Sequence, residues 1–120
     1  MKILNHQIYT NAHNLKAFSV DTKLPVRINF FLQKNIQTIM SAAEEIEKAR
    51  FDIGAQYGEL NEEKGGYDIP TERAQEAGAQ LQELFSLEQD LPIHIFKLDD
   101  FDGIELTYQQ LSAIMFMIEE

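Results

Sequence analysis

The chain contains no cysteine among its 120 residues. This absence excludes disulfide bonds, cysteine-ligated metal sites and a cysteine nucleophile, and it is typical of a reducing compartment. Long apolar runs are absent as well, since no window approaches the ~18 apolar residues of a membrane-spanning helix. Polar Asn5, His6 and Gln7 interrupt the apolar start, so no signal peptide is predicted. We therefore expect a cytoplasmic protein that makes no contact with a membrane.

The motifs of common catalytic and metal sites are also missing. His6, His13 and His94 form no HxxH or HExxH spacing, and the chain has neither a GxSxG motif nor a glycine-rich phosphate loop. The acidic turn 99–105 resembles half of a calcium loop, but a loop starting at Asp100 has its glycine at position 4 instead of position 6. The sequence predicts no enzyme, no cofactor and no metal.

Positive charge is scarce and unevenly distributed. The chain has 10 Lys and Arg against 20 Asp and Glu, which gives a formal net charge of −10. Residues 1–40 carry five bases and one acid, whereas residues 41–120 carry five bases and 19 acids. An acidic surface disfavours nucleic acid and anionic lipid, and it favours either plain solubility or a basic protein partner.

Residues 26 to 60 hold apolar side chains at helical spacing, and no proline interrupts the run after Pro25. The predicted apolar stripe consists of Leu32, Ile36, Ile39, Ala43, Ile46, Ile53, Tyr57 and Leu60. Apolar residues surround the helix at 26–32, so we expect that end to be buried on several sides. Arg50 fills a gap in the stripe. Its guanidinium either reaches water or pairs with an acid of the second helix, such as Glu76 or Glu83.

The remaining segments complete an α+β fold, a long antiparallel helical hairpin on a small base of two or three short β-strands plus a C-terminal helix. We expect one domain, 1–120. Its first part, 1–24, contains a strand (2–9), a short helix (11–18) and a polar loop (19–23), and a long helix (25–60), a loop (61–69) and a second helix (70–90) follow. The last part, 92–120, contains a strand (93–98), a turn and a C-terminal helix that ends at Ile118. Thr107 and Gln110 fit a capping box for that last helix. The two strands, one from each end of the chain, are expected to pair.

Seven acidic residues form the candidate partner-binding site: Glu44, Glu45, Glu47, Asp52, Glu59, Glu62 and Glu63. They lie off the apolar stripe, and the alternative interpretation is a solvated face without a partner. Grouping of these acids on one exposed surface would favour a binding role, and scattering would weaken it. The apolar segments at Phe30–Phe31 and 114–118 are expected to be either core or a partner interface, so a homo-oligomer remains an alternative.

Four features of the layout occur together in one class of known proteins. They are the opening from Lys2 to Ile8, the helix from Leu24 to Leu60 with Tyr57-Gly58-Glu59 near its end, the break at 61–69, and the finish from Ile93 to Ile118. The layout resembles small uncharacterised proteins of tailed phages and prophages of Gram-positive bacteria. The resemblance implies a phage accessory or assembly protein in the host cytoplasm. The alternative is an inhibitor of a host defence nuclease, of the anti-CRISPR or DNA-mimic kind.

Overall fold

The computed structural model describes residues 1–18 and 23–119, and their arrangement is α+β. The helices are α1 (Asn5–Asn14), α2 (Val26–Tyr57), α3 (Ala74–Ser86) and α4 (Tyr108–Ile114), with 3₁₀ turns at Leu15–Ala17, Thr71–Arg73, Leu98–Phe101 and Met115–Met117. The short strands are β1 (Lys2–Leu4), β2 (Glu59–Asn61), β3 (Gly66–Asp68), β4 (Glu88–Asp90), β5 (Phe96–Lys97) and β6 (Ile118–Glu119). Residues 19–22 of the predicted loop lie outside the described residues.

Helix α2 is the long axis of the molecule. Its 32 residues span about 48 Å at 1.5 Å per residue, and the molecule measures 56 × 30 × 20 Å. Pro25 is the N-cap and Gly58 the C-cap, so the predicted long helix is confirmed to within two or three residues. Leu60, predicted as the last residue of the stripe, instead lies in β2 and is 59% exposed.

The buried face of α2 is rotated slightly from the predicted stripe. Its buried residues are Ile28, Leu32, Asn35, Ile39, Ala42, Ile46, Gly54 and Tyr57. The prediction that the N-terminal end is buried on several sides is wrong, because Val26 is 87% and Phe30 58% exposed. Helices α1 and α3 pack on one side of α2, and its other side faces solvent along the whole length.

Asn35 explains why a polar residue occupies the buried face. Its Nδ2 donates to the His94 carbonyl, and its Oδ1 accepts from the His94 N–H, both at 2.8 Å. The ring of His94 stacks on Phe31 with centroids 4.1 Å apart. The side chain of Asn35 thus pairs with extended backbone as a neighbouring strand would, and it holds the segment before β5 against α2.

The N-terminal region is more helical than predicted. Residues 2–9 were expected to form a strand, but the strand ends at Leu4 and α1 begins at Asn5. The Asn5 side chain donates to the Leu84 carbonyl and accepts from Gln89 Nε2, both at 2.8 Å. These bonds fix the start of α1 against the end of α3, whose last carbonyl groups need partners outside the helix.

The strand pairing differs from the prediction. β1 pairs antiparallel with β4, which lies in the last residues of the predicted second helix. β5 pairs parallel with β6, so the predicted strand 93–98 is short and does not meet the N-terminal strand. The capping box at Thr107 is confirmed, since its Oγ1 accepts from the Gln110 N–H at 3.1 Å. The last helix ends at Ile114, before the predicted Ile118.

The predicted loop 61–69 contains most of a β-hairpin formed by β2 and β3. Gly65, in its turn, has a φ of 73°, which glycine adopts without strain. The hairpin packs closely on the end of α2. A Cβ atom at Gly54 would lie 2.9 Å from Tyr67 Cδ2, and one at Gly58 would overlap the Asp68 carbonyl oxygen. The two glycines therefore allow the hairpin to approach α2 closely.

Candidate protein-interaction surface

The seven predicted acids lie in two regions of the molecule. Glu44, Glu45, Glu47 and Asp52 are on α2, whereas Glu59, Glu62 and Glu63 belong to the β2–β3 hairpin. Glu47 is half-buried and the other six are exposed. Successive residues of a helix are rotated by about 100°, so Glu45 and Asp52 share one side of α2 while Glu47 faces the opposite side. The acids are exposed as predicted, but they do not form one continuous surface on α2.

Glu47 is occupied by contacts within the chain. The Tyr9 hydroxyl of α1 donates to Glu47 Oε2 at 2.5 Å. Arg50 Nε donates to the same oxygen at 3.2 Å and Arg50 Nη2 to Oε1 at 2.5 Å, which makes the ion pair bidentate. Tyr9 also packs edge-on against Phe85 of α3, with centroids 5.5 Å apart. This cluster joins α1, α2 and α3, and it leaves Glu47 unsuited to bind a partner.

The position of Arg50 settles the two alternatives left open by the sequence. It pairs with Glu47 of its own helix and not with Glu76 or Glu83 of α3. Its side chain is 44% exposed, and the guanidinium carbon is 5.1 Å from the centre of the Phe51 ring. The charged group therefore reaches the surface while it covers an aromatic side chain.

The same contacts shift the pKa values of the cluster. The hydrogen bonds from Arg50 and then from Tyr9 lower the pKa of Glu47 below its ordinary value. The hydrogen bond to Glu47 is the largest cause of the raised pKa of Tyr9. A depressed carboxylate pKa stabilises the fold above the unfolded pKa, and this stabilisation is lost as the pH falls through the folded value.

Glu47→Gln should therefore remove the part of the stability that is present at neutral pH and lost in acid. At pH 7 we expect a free energy of unfolding lower by about 0.2–1 kcal/mol, the range for exposed ion pairs. The difference from wild type should be smaller at pH 3 than at pH 7, because wild-type Glu47 becomes protonated as the pH falls through its lowered pKa. Urea unfolding followed by circular dichroism at pH 7 and pH 3 measures both values. Glu44→Gln, at an exposed position of the same helix, is the control, and an equal effect there would contradict the assignment.

The hairpin carries the most exposed group of acids around an apolar side chain. We call Glu59, Leu60, Glu62 and Glu63 the acidic tip. They line a shallow depression of about 620 Å³ together with Asn61, Asp68, Ile69 and Pro70. Within the part of the chain that the structure describes, the three glutamates of the tip form no salt bridge. The tip therefore presents an exposed leucine close in the chain to three exposed carboxylates.

The hairpin holds the acidic tip in a defined position. Asn61 Nδ2 donates to Asp68 Oδ2 at 2.9 Å, and the Lys64 N–H donates to Asn61 Oδ1 at 3.2 Å. The hydrogen bond from Asn61 and then that from Lys64 lower the pKa of Asp68. Tyr67 packs on Phe51 of α2, with ring centroids 6.4 Å apart. Local bonds and this aromatic contact fix the tip on the end of the long helix.

Other parts of the described chain offer little to bind a small molecule. A concavity of about 270 Å³ beside the hairpin contains Arg50 and Lys64, but Glu47 and Asp68 already neutralise both cations. Among residues 1–18 and 23–119, no group of three His, Asp or Glu side chains is arranged to hold a metal ion. In the same ranges, no helix is long and apolar enough to cross a membrane.

The sequence indicates which acids are exposed, but two structural features of their surroundings could not be predicted from it. Leu60 was assigned to the core stripe, although its exposure makes it the apolar centre of the tip. Nothing in the sequence predicts the hydrogen bond between Tyr9 and Glu47, which lies 38 residues further along the chain. Comparisons of the chain with protein-family models, curated proteins and solved structures found no match.

Proposed function

We propose that the chain is a non-enzymatic protein-binding module whose acidic tip binds a basic partner protein. The observation that carries the proposal is the exposed Leu60 among three unpaired glutamates. Protein interfaces commonly combine a water-excluding apolar centre with a polar rim. A partner with a small apolar recess surrounded by lysine or arginine would complement this surface in both shape and charge.

Two further properties of the chain support a binding role. The net charge of −10 attracts a basic protein over distances of about a Debye length, roughly 8 Å at physiological salt. The tip is held on the end of a 32-residue helix, so little ordering of the chain is needed on binding, which limits the entropic cost. The polar cluster with shifted pKa values, around Glu47, is closed by its own partners. That arrangement favours a structural role of the cluster over catalysis.

The resemblance in layout to phage proteins suggests the class of partner. We propose that the chain acts as a phage accessory or assembly factor in the host cytoplasm, with a virion protein as its partner. The alternative is a host defence nuclease whose phosphate-binding site accepts the tip glutamates. The three carboxylates of the tip favour this second candidate only if the captured partner also binds nucleic acid.

A matched pair of triple variants tests the tip. Glu59→Gln, Glu62→Gln and Glu63→Gln together remove three charges from it, and Glu83→Gln, Glu88→Gln and Glu105→Gln remove three exposed charges elsewhere. Immobilised protein is exposed to host lysate at low salt, and captured proteins are identified by mass spectrometry. We expect a basic protein to be captured by wild type and control, with capture reduced about tenfold by the tip variant, equivalent to about 1.4 kcal/mol.

Salt separates the candidate partners in the same experiment. Loss of the captured protein at high salt indicates binding dominated by the glutamates, whereas retention indicates that Leu60 contributes most of the affinity. Nuclease activity of the captured protein assigns the inhibitor role, and membership of the virion assigns the assembly role. Equal capture by the tip and control variants, or no specific capture by wild type, would overturn the proposed function.

A further inference from the structure

The outer face of α2, its solvent-exposed side from Val26 to Asp52, is a long surface that the described residues leave uncovered. Exposed positions recur along the whole helix, and two of them are large apolar side chains at its N-terminal end. Val26 is 87% exposed and Phe30 is 58% exposed. A helix of about 48 Å with one uncovered side can accept a second helix along its length.

The charges on the outer face are arranged along a single line. Arg27, Lys34, Glu45 and Asp52 are separated by 7, 11 and 7 residues. Because 7 and 11 residues are close to two and three full turns, all four side chains lie within about 20° of each other around the helix axis. The two bases occupy the N-terminal half of the line and the two acids occupy the C-terminal half.

This order of charges is complementary to itself when reversed. The pair Arg27 and Asp52 and the pair Lys34 and Glu45 have the same midpoint, between residues 39 and 40. A second copy of α2 laid antiparallel about that point therefore places Arg27 opposite the other copy's Asp52 and Lys34 opposite the other copy's Glu45. Four opposite-charge contacts form at once, and a two-fold axis relates them.

The middle of the outer face provides the room that such a contact needs. A groove of about 410 Å³ lies along the edge of this face, where Gln89 and Leu91 meet α2, and Lys34, Thr38, Ser41 and Glu45 line it from the helix. Small residues at a helix crossing let two backbones approach closely. Antiparallel placement also brings Val26 and Phe30 beside residues 49–53 of the other copy, where Phe51 is 37% exposed.

We propose that a second copy of this chain binds the outer face, forming a symmetric antiparallel dimer through α2. The charge order selects this occupant, since an antiparallel copy matches both pairs and a parallel copy opposes like charges. Neither Lys34 nor Glu45 belongs to a salt bridge in the described chain. The Lys34 ammonium lies 5.6 Å from the centre of the Phe30 ring, on the same face of the helix, and both side chains are exposed. Arg27 lies 3.9 Å from Asp100 and is 69% exposed, which leaves it able to reach a partner as well.

Sedimentation velocity with charge-reversed variants tests the dimer. Wild type should sediment at twice the 13.8 kDa chain mass at low salt, in a range of micromolar concentrations. Lys34→Glu and Glu45→Lys should each raise the dissociation constant at least about tenfold, because each creates two like-charge contacts. Circular dichroism checks that the variants stay folded, as expected for exposed positions.

The combined variants make the test specific for the antiparallel register. The double variant Lys34→Glu with Glu45→Lys exchanges both charges, so it should dimerise like wild type. An equimolar mixture of the two single variants should form the mixed dimer, since every contact is again between opposite charges. A wild-type chain that remains monomeric, a dimer unaffected by either reversal, or a double variant that fails to recover would overturn the proposal. The acidic tip is unchanged in all these variants, so failure here is separate from failure of the proposed function.

Discussion

Replacing Asn35 by leucine should lower the free energy of unfolding by about 3 kcal/mol. Leucine has the same branched arrangement of heavy atoms as asparagine but cannot bond to the His94 N–H and carbonyl, which Asn35 holds at 2.8 Å. Each partly buried polar group left without a partner costs about 1–3 kcal/mol, and the larger apolar area of leucine recovers a part of that. Urea unfolding followed by circular dichroism at pH 7 gives the value directly.

Asn29→Leu is the matched control for Asn35, because Asn29 lies exposed on the same helix. It should change the free energy of unfolding by less than about 0.5 kcal/mol, as is usual for surface positions. Amide exchange adds a local measurement, since the His94 N–H should exchange faster in Asn35→Leu. A loss of less than about 1 kcal/mol in Asn35→Leu would mean that the segment before β5 does not depend on this side chain.

Gly58→Ala should lower the free energy of unfolding by about 2 kcal/mol. Gly58 has a φ of −138°, which other residues adopt easily, so its backbone conformation is not the reason. The reason is the Asp68 backbone, whose carbonyl oxygen lies where the new methyl group would be. Backbone cannot rotate away as a side chain can, and overpacking of this kind costs about 1–3 kcal/mol.

Gly78→Ala, the same substitution at another glycine, should raise the free energy of unfolding instead of lowering it. Gly78 lies within α3, and a Cβ atom added there would meet nothing within 4 Å. Alanine favours a helix over glycine by up to about 1 kcal/mol, so this variant should be more stable than wild type. If Gly58→Ala were as stable as Gly78→Ala in urea unfolding, the hairpin would not pack on α2 as described.

The long helix could be predicted because its signals are local. Pro25 precedes it, apolar residues recur at helical spacing for 30 residues, and Gly58 follows. The face that it buries was less predictable, since a polar Asn35 is buried through backbone that lies 59 residues further along the chain. A stripe defined by apolar residues alone therefore selects Ile36 and Ala43, which lie at the edge of the buried face.

The strands could not be placed from the sequence because each has two or three residues. A segment that short has almost no periodicity of its own, and its pairing depends on what the rest of the fold brings beside it. β4 consists of polar residues, yet it pairs with β1. Asn5, which directly follows β1, accepts a hydrogen bond from Gln89 of β4 and stabilises this pairing. The short helix expected at 11–18 begins earlier, at Asn5, because residues 5–9 continue the helix instead of the expected strand. Its buried side chains include Ile8 and Ala12.

The candidate site could be predicted in part. Charge alone indicates that the glutamates are exposed, because unpaired carboxylates are rarely buried. Their grouping depends on tertiary structure. Tyr9 and Arg50 occupy Glu47, whereas the hairpin turns Glu59, Glu62 and Glu63 outward around Leu60. The sequence predicts seven exposed acids as a site. The structure adds that Glu47 is bonded within the chain and that Glu59, Glu62 and Glu63 lie near the exposed Leu60.

Site-specific photo-crosslinking in cells that produce the chain tests the acidic tip most directly. A photoreactive amino acid replaces either Leu60 or Leu87, which are similarly exposed at 59% and 52% but lie in different parts of the molecule. If the tip binds a basic protein, light should join one such protein to the chain labelled at position 60 and not to the chain labelled at position 87. Equal crosslinking at the two positions, or none at position 60, would contradict the proposed function.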